Sequence, residues 1–494
     1  MCRVKIRRTT VLFAVLSILL LSLVGCSDDP SGDSNDELEE QCTGPYTESC
    51  DGECISTRTD PDNCGGCGTT CGEEEACFSG QCVDTCGAGL EMCGRRCVDL
   101  DTDPEHCREC DNSCGEQQGC SLGECVESMA FDRDDDLCLA GGPAIVVEDP
   151  TLGDRCSGQL RRELFAFAIC SCDRAEFEGN LSIDGFDSAL GPYEPDLLSG
   201  SLGMNDHLDM DGRATVNGSA LVAGRLDVED DLRITDDVSV GGDFSVSGEA
   251  NIDGDAAIAG AISASMLSVG GILRVPEGTE VDDYTYGQLV EEEVIVDPPC
   301  PCDSIPDVGA IVDARRDRND NADIDLDAGI LVDHYDSIQH LALPCGHYYL
   351  NGSDVETDLT IIANGRTAIY IDDTFTTSGD LRILPAPDAE LDLFIDGQIT
   401  AEGTLTFGSP NYPAATRVYI DDQTSIEGDV QLNGYLLGED HITLEGDIEV
   451  FGGLFAGNLL AAEGNTSVHF DHQVREASDP ELTNATCPEP DDDE

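Results

Sequence analysis

The stretch from residue 208 to residue 260 decides the fold: LDMDGR-ATVNGS-ALVAGR-LDVEDD-LRITDD-VSVGGD-FSVSGE-ANIDGD-AAIAG. Each hexad carries apolar residues at its first and third positions, as in Leu226 and Val228, and mostly polar residues at its second and fourth. The fifth position is Gly or Asp throughout. Because alternate residues of a strand share a face, each apolar pair points into a core, and Gly or Asp tolerates the positive φ of a corner.

Short strands joined by such corners are typical of a right-handed β-solenoid (β-helix) with three hexads per coil. The pattern skips one residue after Ile262 and resumes at Leu267. An antiparallel β-sandwich is the alternative, but its strands need no such regular spacing. The hexads resemble those of bactofilin-type polymer-forming proteins, which are β-helices that assemble end to end. The resemblance covers residues 208–271 and implies a capacity for self-assembly.

A second repetitive region at residues 348–475 predicts a second solenoid segment with longer, less uniform coils. Its landmark strands contain Ile371, Ile395 and Ile420, which are 24 and 25 residues apart. Residues 300–347 are predicted to cross over between the two segments. The two segments together predict a mainly β fold.

Three motifs outside the regular coils carry a further resemblance: Phe167–Cys172, Asn319–Ala322 and Leu343–Leu350. With the Gly-rich coils, they resemble an uncharacterised β-helical domain family of bacterial surface and pilus-associated proteins. The resemblance spans roughly residues 160 to 475. It implies a fold and no established activity.

Sixteen of the 26 cysteines form two units offset by 43 residues. Each unit is too small and too poor in large apolar residues to hold a core, so disulfide bonds must replace one. The cysteines predicted to form them are Cys42, Cys50, Cys54, Cys64, Cys67, Cys71, Cys77, Cys82, Cys86, Cys93, Cys97, Cys107, Cys110, Cys114, Cys120 and Cys125. Zinc is the alternative for the Cys-x-x-Cys pairs, but an oxidising compartment favours disulfides. The spacing resembles cysteine-rich repeats of bacterial surface lipoproteins and leaves the connectivity open.

Five further cysteines are predicted to pin the ends and the crossover of the solenoid: Cys170, Cys172, Cys300, Cys302 and Cys345. We expect them to bridge among themselves and with three others: Cys138, Cys156 and Cys487. These eight make an even set, which is consistent with full pairing.

Residues 1–25 are predicted to be a lipoprotein signal peptide. Basic residues precede an apolar run, Val11 to Val24, that is too short to span a bilayer comfortably. The run ends in Leu-Val-Gly-Cys26, which resembles the bacterial lipobox. The resemblance implies cleavage before Cys26, acylation of its sulfur and, with Ser27 next, sorting to the outer membrane. Residues 26–41 are expected to be a flexible tether.

The charge balance excludes several classes of partner. The chain has 102 acidic and 24 basic residues, a net charge of -78, and Lys5 is its only lysine. Such a surface repels nucleic acid and anionic lipid headgroups, so we expect no nucleic-acid partner and a membrane contact through the lipid alone. Envelope polysaccharide, other surface proteins and a second copy are the candidate partners. Adaptation to high salt is the simplest interpretation of the charge.

One acidic stretch in the crossover is a candidate calcium site. Its oxygen-bearing side chains are Asp317, Asn319, Asp320, Asp323 and Asp325. Alternating carboxylates and amides suit calcium, although the stretch lacks the glycine and the terminal glutamate of an EF-hand loop. In so acidic a chain, such clusters also arise from composition alone. No other cofactor is expected.

A polysaccharide-acting enzyme is one alternative function, since β-helices often host such enzymes. A lyase needs a basic residue, but the mature chain has no lysine, and a hydrolase needs paired carboxylates. The doublets Asp372-Asp373 and Asp421-Asp422 are the candidates, yet neighbouring residues of a strand point to opposite faces. We therefore predict no catalytic residues.

The sequence as a whole predicts a non-enzymatic surface lipoprotein with a structural, adhesive or binding role. The cysteine-rich module, residues 42–125, is expected to act as a stalk or binding knob. A connector (126–172) leads to the first solenoid segment (173–299), and an acidic tail (476–494) ends the chain. The other alternative function is a self-assembling scaffold, in which solenoid ends stack between molecules.

Overall fold

The computed structural model describes residues 47–474, apart from gaps at residues 51–52, 88, 132, 134–137, 139–141, 144, 196–197, 282, 334–337, 356, 402 and 428–429. Strand makes up 47% and helix 8%, so the prediction of a mainly β chain with a disulfide-rich N-terminal region is confirmed. The predicted signal peptide, Cys26, the tether, Cys42, Cys487 and the acidic tail lie outside the described residues. No helix within the described part of the chain is long and apolar enough to cross a membrane.

The N-terminal module consists of small hairpins. Its strands are β1 (Thr47–Cys50), β2 (Glu53–Ser56), β3 (Ala76–Phe78), β4 (Gln81–Val83), β5 (Glu91–Cys93), β6 (Arg96–Val98), β7 (Gln118–Ser121) and β8 (Glu124–Ala130). Each odd-numbered strand pairs in antiparallel fashion with the strand that follows it. The hairpins are too short to enclose a core, so cross-links hold them together.

Equivalent cysteines of the two units pair in the same way, as a tandem duplication requires. The disulfide bonds are Cys50–Cys67, Cys64–Cys77 and Cys71–Cys82 in the first unit, and Cys86–Cys97, Cys93–Cys110, Cys107–Cys120 and Cys114–Cys125 in the second. Cys54 is disulfide-bonded as well. The predicted presence of disulfide bonds is thereby confirmed.

A short connector leads to the first repetitive segment. It comprises β9 (Val146–Asp149), β10 (Gly153–Cys156) and helix α1 (Ser157–Leu164). The segment contains β11 (Ile169–Ser171), β12 (Ala175–Phe177), β13 (Leu181–Phe186), β14 (Leu202–Met204), β15 (Leu208–Met210), β16 (Ala214–Val216), β17 (Ala220–Val222), β18 (Leu226–Val228), β19 (Leu232–Ile234), β20 (Val238–Val240), β21 (Phe244–Ile252), β22 (Ala256–Ile258), β23 (Ile262–Val275) and β24 (Thr285–Glu291). In the hexad strands both outer residues are buried, as the apolar pattern predicts.

The crossover carries helices α2 (Val308–Arg315) and α3 (Ile330–Asp333). The second segment contains β25 (His340–Leu343), β26 (Gly346–Leu350), β27 (Ser353–Val355), β28 (Leu359–Ala363), β29 (Arg366–Asp372), β30 (Phe375–Thr377), β31 (Leu381–Pro385), β32 (Glu390–Asp396), β33 (Ile399–Ala401), β34 (Leu405–Gly408), β35 (Thr416–Ile420), β36 (Thr424–Glu427), β37 (Val430–Gly438), β38 (Ile442–Glu445), β39 (Ile448–Ala456), β40 (Leu460–Ala462) and β41 (Thr466–Asp471). Short 3-10 turns occur at Cys302–Ser304, Asn321–Asp323, Pro413–Ala415 and His472–Val474.

Strands β15 to β18 pair in parallel with the strand three places further on, and β19 and β20 with the strand two places further on, because β21 spans two hexads. Leu226 of β18 lies between Leu208 of β15 and Phe244 of β21. The partners are 18 residues apart, the offset expected for three hexads. The offset falls to 17 at a register shift between Val246 and Glu249, because the sequence pattern skips one residue on the facing strand. These parallel ladders exclude the antiparallel sandwich.

Both segments belong to one sheet of 33 strands. The last strands of the second segment, β39 to β41, pair in parallel with β11 to β13 at the start of the first. His469 therefore lies beside Asp184, although 285 residues separate them. Pairing begins at Ile169 and His340, a few residues before the predicted starts of the two segments.

The disulfide module packs along the flank of the second segment, rather than projecting as a stalk or knob. Strand β8 pairs in parallel with β25, so the hairpin of β7 and β8 closes that end of the sheet. Further along, the guanidinium of Arg58 stacks on the ring of Tyr412 at 3.6 Å. Ser79 donates a hydrogen bond to the carbonyl of Ser188 on the loop after β13. The module thus contacts the body from its far end to the junction of the segments.

Strands β29, β32 and β35 are buried on both faces, which explains their unbroken apolar runs in the sequence. One face carries a stack of rings from Tyr370, Phe394 and Tyr419, with centroids 5.1 and 4.9 Å apart. Helix α2 packs on β29 and β32 on the outside. Helix α1 is held to β32 by a hydrogen bond from Ser157 to the buried Asp392.

A buried ion pair reinforces the contact with α1. Arg417 donates from two guanidinium nitrogens to the two carboxylate oxygens of Asp392, each at 2.7 Å. Arg161 of α1 donates to the carbonyl of Ala414, which Arg417 contacts as well. An unpaired buried charge would lower the stability of the fold. Arg417 and Asp392 therefore each require the other as a partner.

Three disulfide bonds pin the crossover to the body. Cys170–Cys300 and Cys172–Cys302 tie its start to the junction, and Cys138–Cys345 ties its end to the connector. Cys156 is also disulfide-bonded.

The sixth hexad position links paired parts of the sheet through side chains. Asp231, Asp237, Asp243 and Asp255 each accept a hydrogen bond from a backbone N–H 17 or 18 residues further on. At Asp243 the donor is Ala261, at 2.8 Å. These contacts tie the corners together where the strand ladders end.

Asp243→Ala is expected to lower the free energy of unfolding by about 1 kcal/mol, because the N–H of Ala261 loses its acceptor. Asp243→Asn keeps an acceptor oxygen and should stay within about 0.5 kcal/mol of the wild type. Guanidinium denaturation followed by circular dichroism measures both. Equal losses in the two variants would contradict the proposed role of the hydrogen bond.

Candidate functional site

The residues predicted to bind calcium do not surround a common point. Asp320 accepts a hydrogen bond from the backbone N–H of His347 at 2.8 Å and pairs with Arg133 at 3.2 Å. Asp323 pairs with the same guanidinium at 3.2 Å. Asn319 donates its amide to backbone carbonyls at the end of α2. An arginine therefore lies between two of the carboxylates that were expected to share a cation.

Asp317 and Asp325, the remaining carboxylates of the stretch, are exposed. Within the described residues, each group of three metal-ligating atoms lying within 4.8 Å of one another includes disulfide-bonded cysteines. Cysteine binds metals as a thiolate, and a disulfide-bonded sulfur is not a thiolate. His469 pairs with Asp184 at 2.6 Å, while His472 contacts a backbone carbonyl.

The structure assembles a different acidic group: Asp372, Asp396, Asp421 and Glu439, here called the carboxylate row. Asp372 lies beside Asp396 in the ladder between β29 and β32. Asp421 and Glu439 directly follow residues that are paired in the next two ladders, so they continue the row. Neighbouring strands lie about 4.8 Å apart, which brings each carboxyl group against the next.

Asp421 lies between Asp396 and Glu439 in the row and influences the pKa of both neighbours. Burial, together with the charge and hydrogen bond of Asp421, raises the pKa of Asp396 to about 6. Burial and the hydrogen bond with Asp421 raise the pKa of Glu439 to about 8.

The N-terminus of α2 lies directly over the row. The backbone N–H of Val308 donates to Glu439 at 3.3 Å. A Cβ added to Gly309 would lie 3.0 Å from a carboxylate oxygen of Asp421 and 3.3 Å from one of Asp396. Glycine therefore lets the helix approach the carboxyl groups closely, and the positive end of the helix dipole favours negative charge there.

The two ends of the row differ in charge balance. Asp372 pairs with Arg316 at 2.7 Å and accepts a short hydrogen bond from the hydroxyl of Tyr349. In the described part of the chain, the other three members form no ion pair with Arg or His within 4.0 Å. Protons and the helix N-terminus stabilise that end instead.

A hydrolase needs two carboxyl groups that flank a substrate, whereas those of the row lie against one another beneath the N-terminus of α2. In the doublets considered for a hydrolase, Asp373 occupies a corner at φ 87° and Asp422 is exposed. Neither of these two residues belongs to the row.

Asp396 and Glu439 do not stand out in the sequence as Asp372 and Asp421 do, because neither belongs to an Asp doublet. The signal was present, because the spacing of Ile371, Ile395 and Ile420 applies equally to the acidic residue after each of them. Glu439 follows after a shorter coil of 18 residues, which the irregular pattern concealed.

Residues 301–477 match a domain of unknown function, DUF7305. The chain thus combines this domain with the disulfide-rich N-terminal module. The matched residues include α2 and the whole carboxylate row, whereas the hexads and the module lie outside it. No curated protein and no solved structure matches the chain.

Glu439→Gln is expected to gain stability over the wild type at alkaline pH. The pKa of Glu439 rises from its ordinary value of 4.5 to about 8 on folding, so the wild type loses stability as the pH rises through this window. Glutamine does not ionise and avoids this loss. The gain at pH 9 should be about 1–2 kcal/mol, after allowance for solvent screening of a half-buried group.

Thermal unfolding at pH 5 and pH 9 measures this difference. Glu463→Gln changes an exposed glutamate of the same segment and serves as the matched control, without the pH-dependent gain. A stability difference between Glu439→Gln and the wild type that is the same at both pH values would contradict the raised pKa of Glu439.

Proposed function

We propose that the chain is a non-enzymatic lipoprotein of the bacterial outer membrane, in which a rigid β-solenoid is anchored through Cys26. It serves as a structural or adhesive element that presents a long polar surface to envelope polysaccharide or to other surface proteins. The observation that carries the proposal is the junction, where β41 pairs with β13 and joins both segments into one sheet. A continuous sheet favours a single stiff body over two linked domains.

The ladders support a solenoid architecture. Strands of both segments pair in parallel with a strand one coil away, and parallel crossovers are almost always right-handed. One apolar cluster runs from Ile145 to Val474, which is consistent with a continuous interior. About a dozen coils at roughly 4.8 Å each give a stack about 60 Å long.

The two ends of the stack are unlike, which favours a single rod over an end-to-end polymer of the bactofilin type. The hairpin of β7 and β8 closes one end. At the other end, β24 has one strand partner among the described residues, β23. Glu291, Glu292 and Glu293 lie at or just beyond this edge, and like charges oppose strand pairing between copies.

The tether would approach the body from its side. The described chain begins at β1 in the module, and the module packs along the flank of the second segment. An anchor attached there would hold the solenoid by its flank and leave the end at β24 free.

Purified protein lacking the signal peptide should be a monomer with a rod-shaped core about 60 Å long. Light scattering over a concentration series gives the mass, and electron microscopy gives the shape. As a matched comparison, changing Glu291, Glu292 and Glu293 to Ser should promote association through β24. Wild-type mass that grows with concentration, or filaments, would favour the scaffold instead.

Cells expressing the full chain should incorporate labelled fatty acid into the protein, and Cys26→Ser should abolish the label, because the lipobox resemblance makes this thiol the acylation site. Cys2→Ser is the matched control and should keep the label. Labelling of the Cys26→Ser variant, or an unlabelled wild-type chain, would refute the anchor.

A further inference from the structure

The end of the first segment at β24 leaves two strand edges without a partner on their outer side. Among the described residues, residues 262–264 of β23 pair only with β21, and β24 pairs only with β23. The loop between these two strands places Val281 in the core, and the hydroxyl of Tyr284 donates to the carbonyl of Ile262 at 3.4 Å. Edges of this kind offer backbone N–H and C=O groups to an added strand.

Half-buried apolar side chains lie on and between the two edges and form what we call the end platform. They pack against the core, and they are Ile262, Ala264, Tyr284, Tyr286 and Leu289. In the ladder between β23 and β24, Tyr286 and Leu289 lie beside Val269 and Leu273, which are fully buried. A strand added beside β24 would cover Tyr286 and Leu289 as β24 covers the strand beneath it.

Exposed carboxylates occupy β24 and the chain on either side of it. This acidic rim consists of Glu277, Glu280, Asp283, Glu291 and Glu293. On the flank of the same segment, Arg213 and Arg233 pair with aspartates at 3.1 and 3.0 Å. At the end of the segment, Arg274 pairs with Asp255 and Glu292. Within the described residues, no member of the rim forms an ion pair within 4.0 Å, so the rim concentrates uncompensated negative charge.

The charge of the rim discriminates between possible occupants of the platform. A second copy of this end would bring the same carboxylates, and like charges across an interface oppose docking. The chain's own ends are equally unsuited, because residues 27–46 and 476–494 contain Asp and Glu but neither Lys nor Arg. A basic partner is attracted instead. An extended segment that alternates apolar and basic side chains can turn the apolar set toward the platform.

We propose that the end platform binds an extended basic segment of another protein, which adds to the sheet as a strand beside β24. Backbone hydrogen bonds along β24 hold the segment, its apolar side chains cover Tyr286 and Leu289, and its Arg or Lys side chains pair with the rim. The inference goes beyond the proposed function, because it assigns a binding surface at the end of the body. It needs no lipid anchor, so its failure would leave the proposed function intact.

Fluorescence anisotropy with a labelled peptide tests the site on the purified chain without residues 1–25. The probe has the 7-residue length of β24, alternates Arg and Val, and has blocked termini. It should bind at one site per chain and protect the amides of β24 from hydrogen exchange. The same peptide with every backbone nitrogen methylated keeps its charge but has no N–H to donate, so it should bind at least about tenfold more weakly. Absence of binding, or equal binding of the methylated peptide, would overturn the proposal.

Two sets of charge variants separate the rim from the general acidity of the chain. The rim variant combines Glu277→Gln, Glu280→Gln and Asp283→Asn. The flank variant removes three exposed carboxylates of the same segment and combines Glu178→Gln, Asp211→Asn and Glu229→Gln. Peptide binding should weaken about tenfold in the rim variant and less than about twofold in the flank variant. Equal losses in the two variants, or self-association of the wild type that the peptide suppresses, would contradict a site for a basic segment.

Discussion

Parallel hydrogen bonding between strands about 18 to 25 residues apart is the interaction on which the rest of this molecule depends. Because the pairing is parallel and in register, each side chain is stacked on its equivalent in the paired strand. Apolar pairs become a continuous core, the rings of Tyr370, Phe394 and Tyr419 become a stack, and corner aspartates become a chain of hydrogen bonds. The carboxylate row has the same origin.

Helices cover one face of the second segment, and there the stacking of charged side chains has a larger cost in free energy. A solvated aspartate at a corner is easily tolerated, but a row of them at the edge of a packed helix must give up charge or find partners. At one end of the row, Arg316 supplies the partner for Asp372. At the other end, protons and the N-terminus of α2 take that role. The stability of this part of the body therefore depends on pH.

The local fold can be predicted well from the sequence, because each hexad indicates which side chains face inward. The hexads do not indicate the order in which the strands pair. Any coil end offers the same backbone groups to any other, so the pairing of β41 with β13 depends on the whole chain. The two-faced burial of β32 was visible as the run Leu391–Ile395, yet the short helices that cover it have no strong pattern of their own. Asp396 does not stand out as a site residue because isolated aspartates are frequent in so acidic a chain.

The junction between the segments tests the account most directly. Ser182 and Ser467 are paired across it, although 285 residues separate them, and neither side chain is buried. With cysteine at both positions, a short thiol-reactive cross-linker should join the two peptides in high yield, as mass spectrometry would detect. Cysteines at Ser182 and Ser245, which lie on coils that are not adjacent, should give far less. A missing link between positions 182 and 467, or a yield no higher than the control, would contradict a single continuous stack.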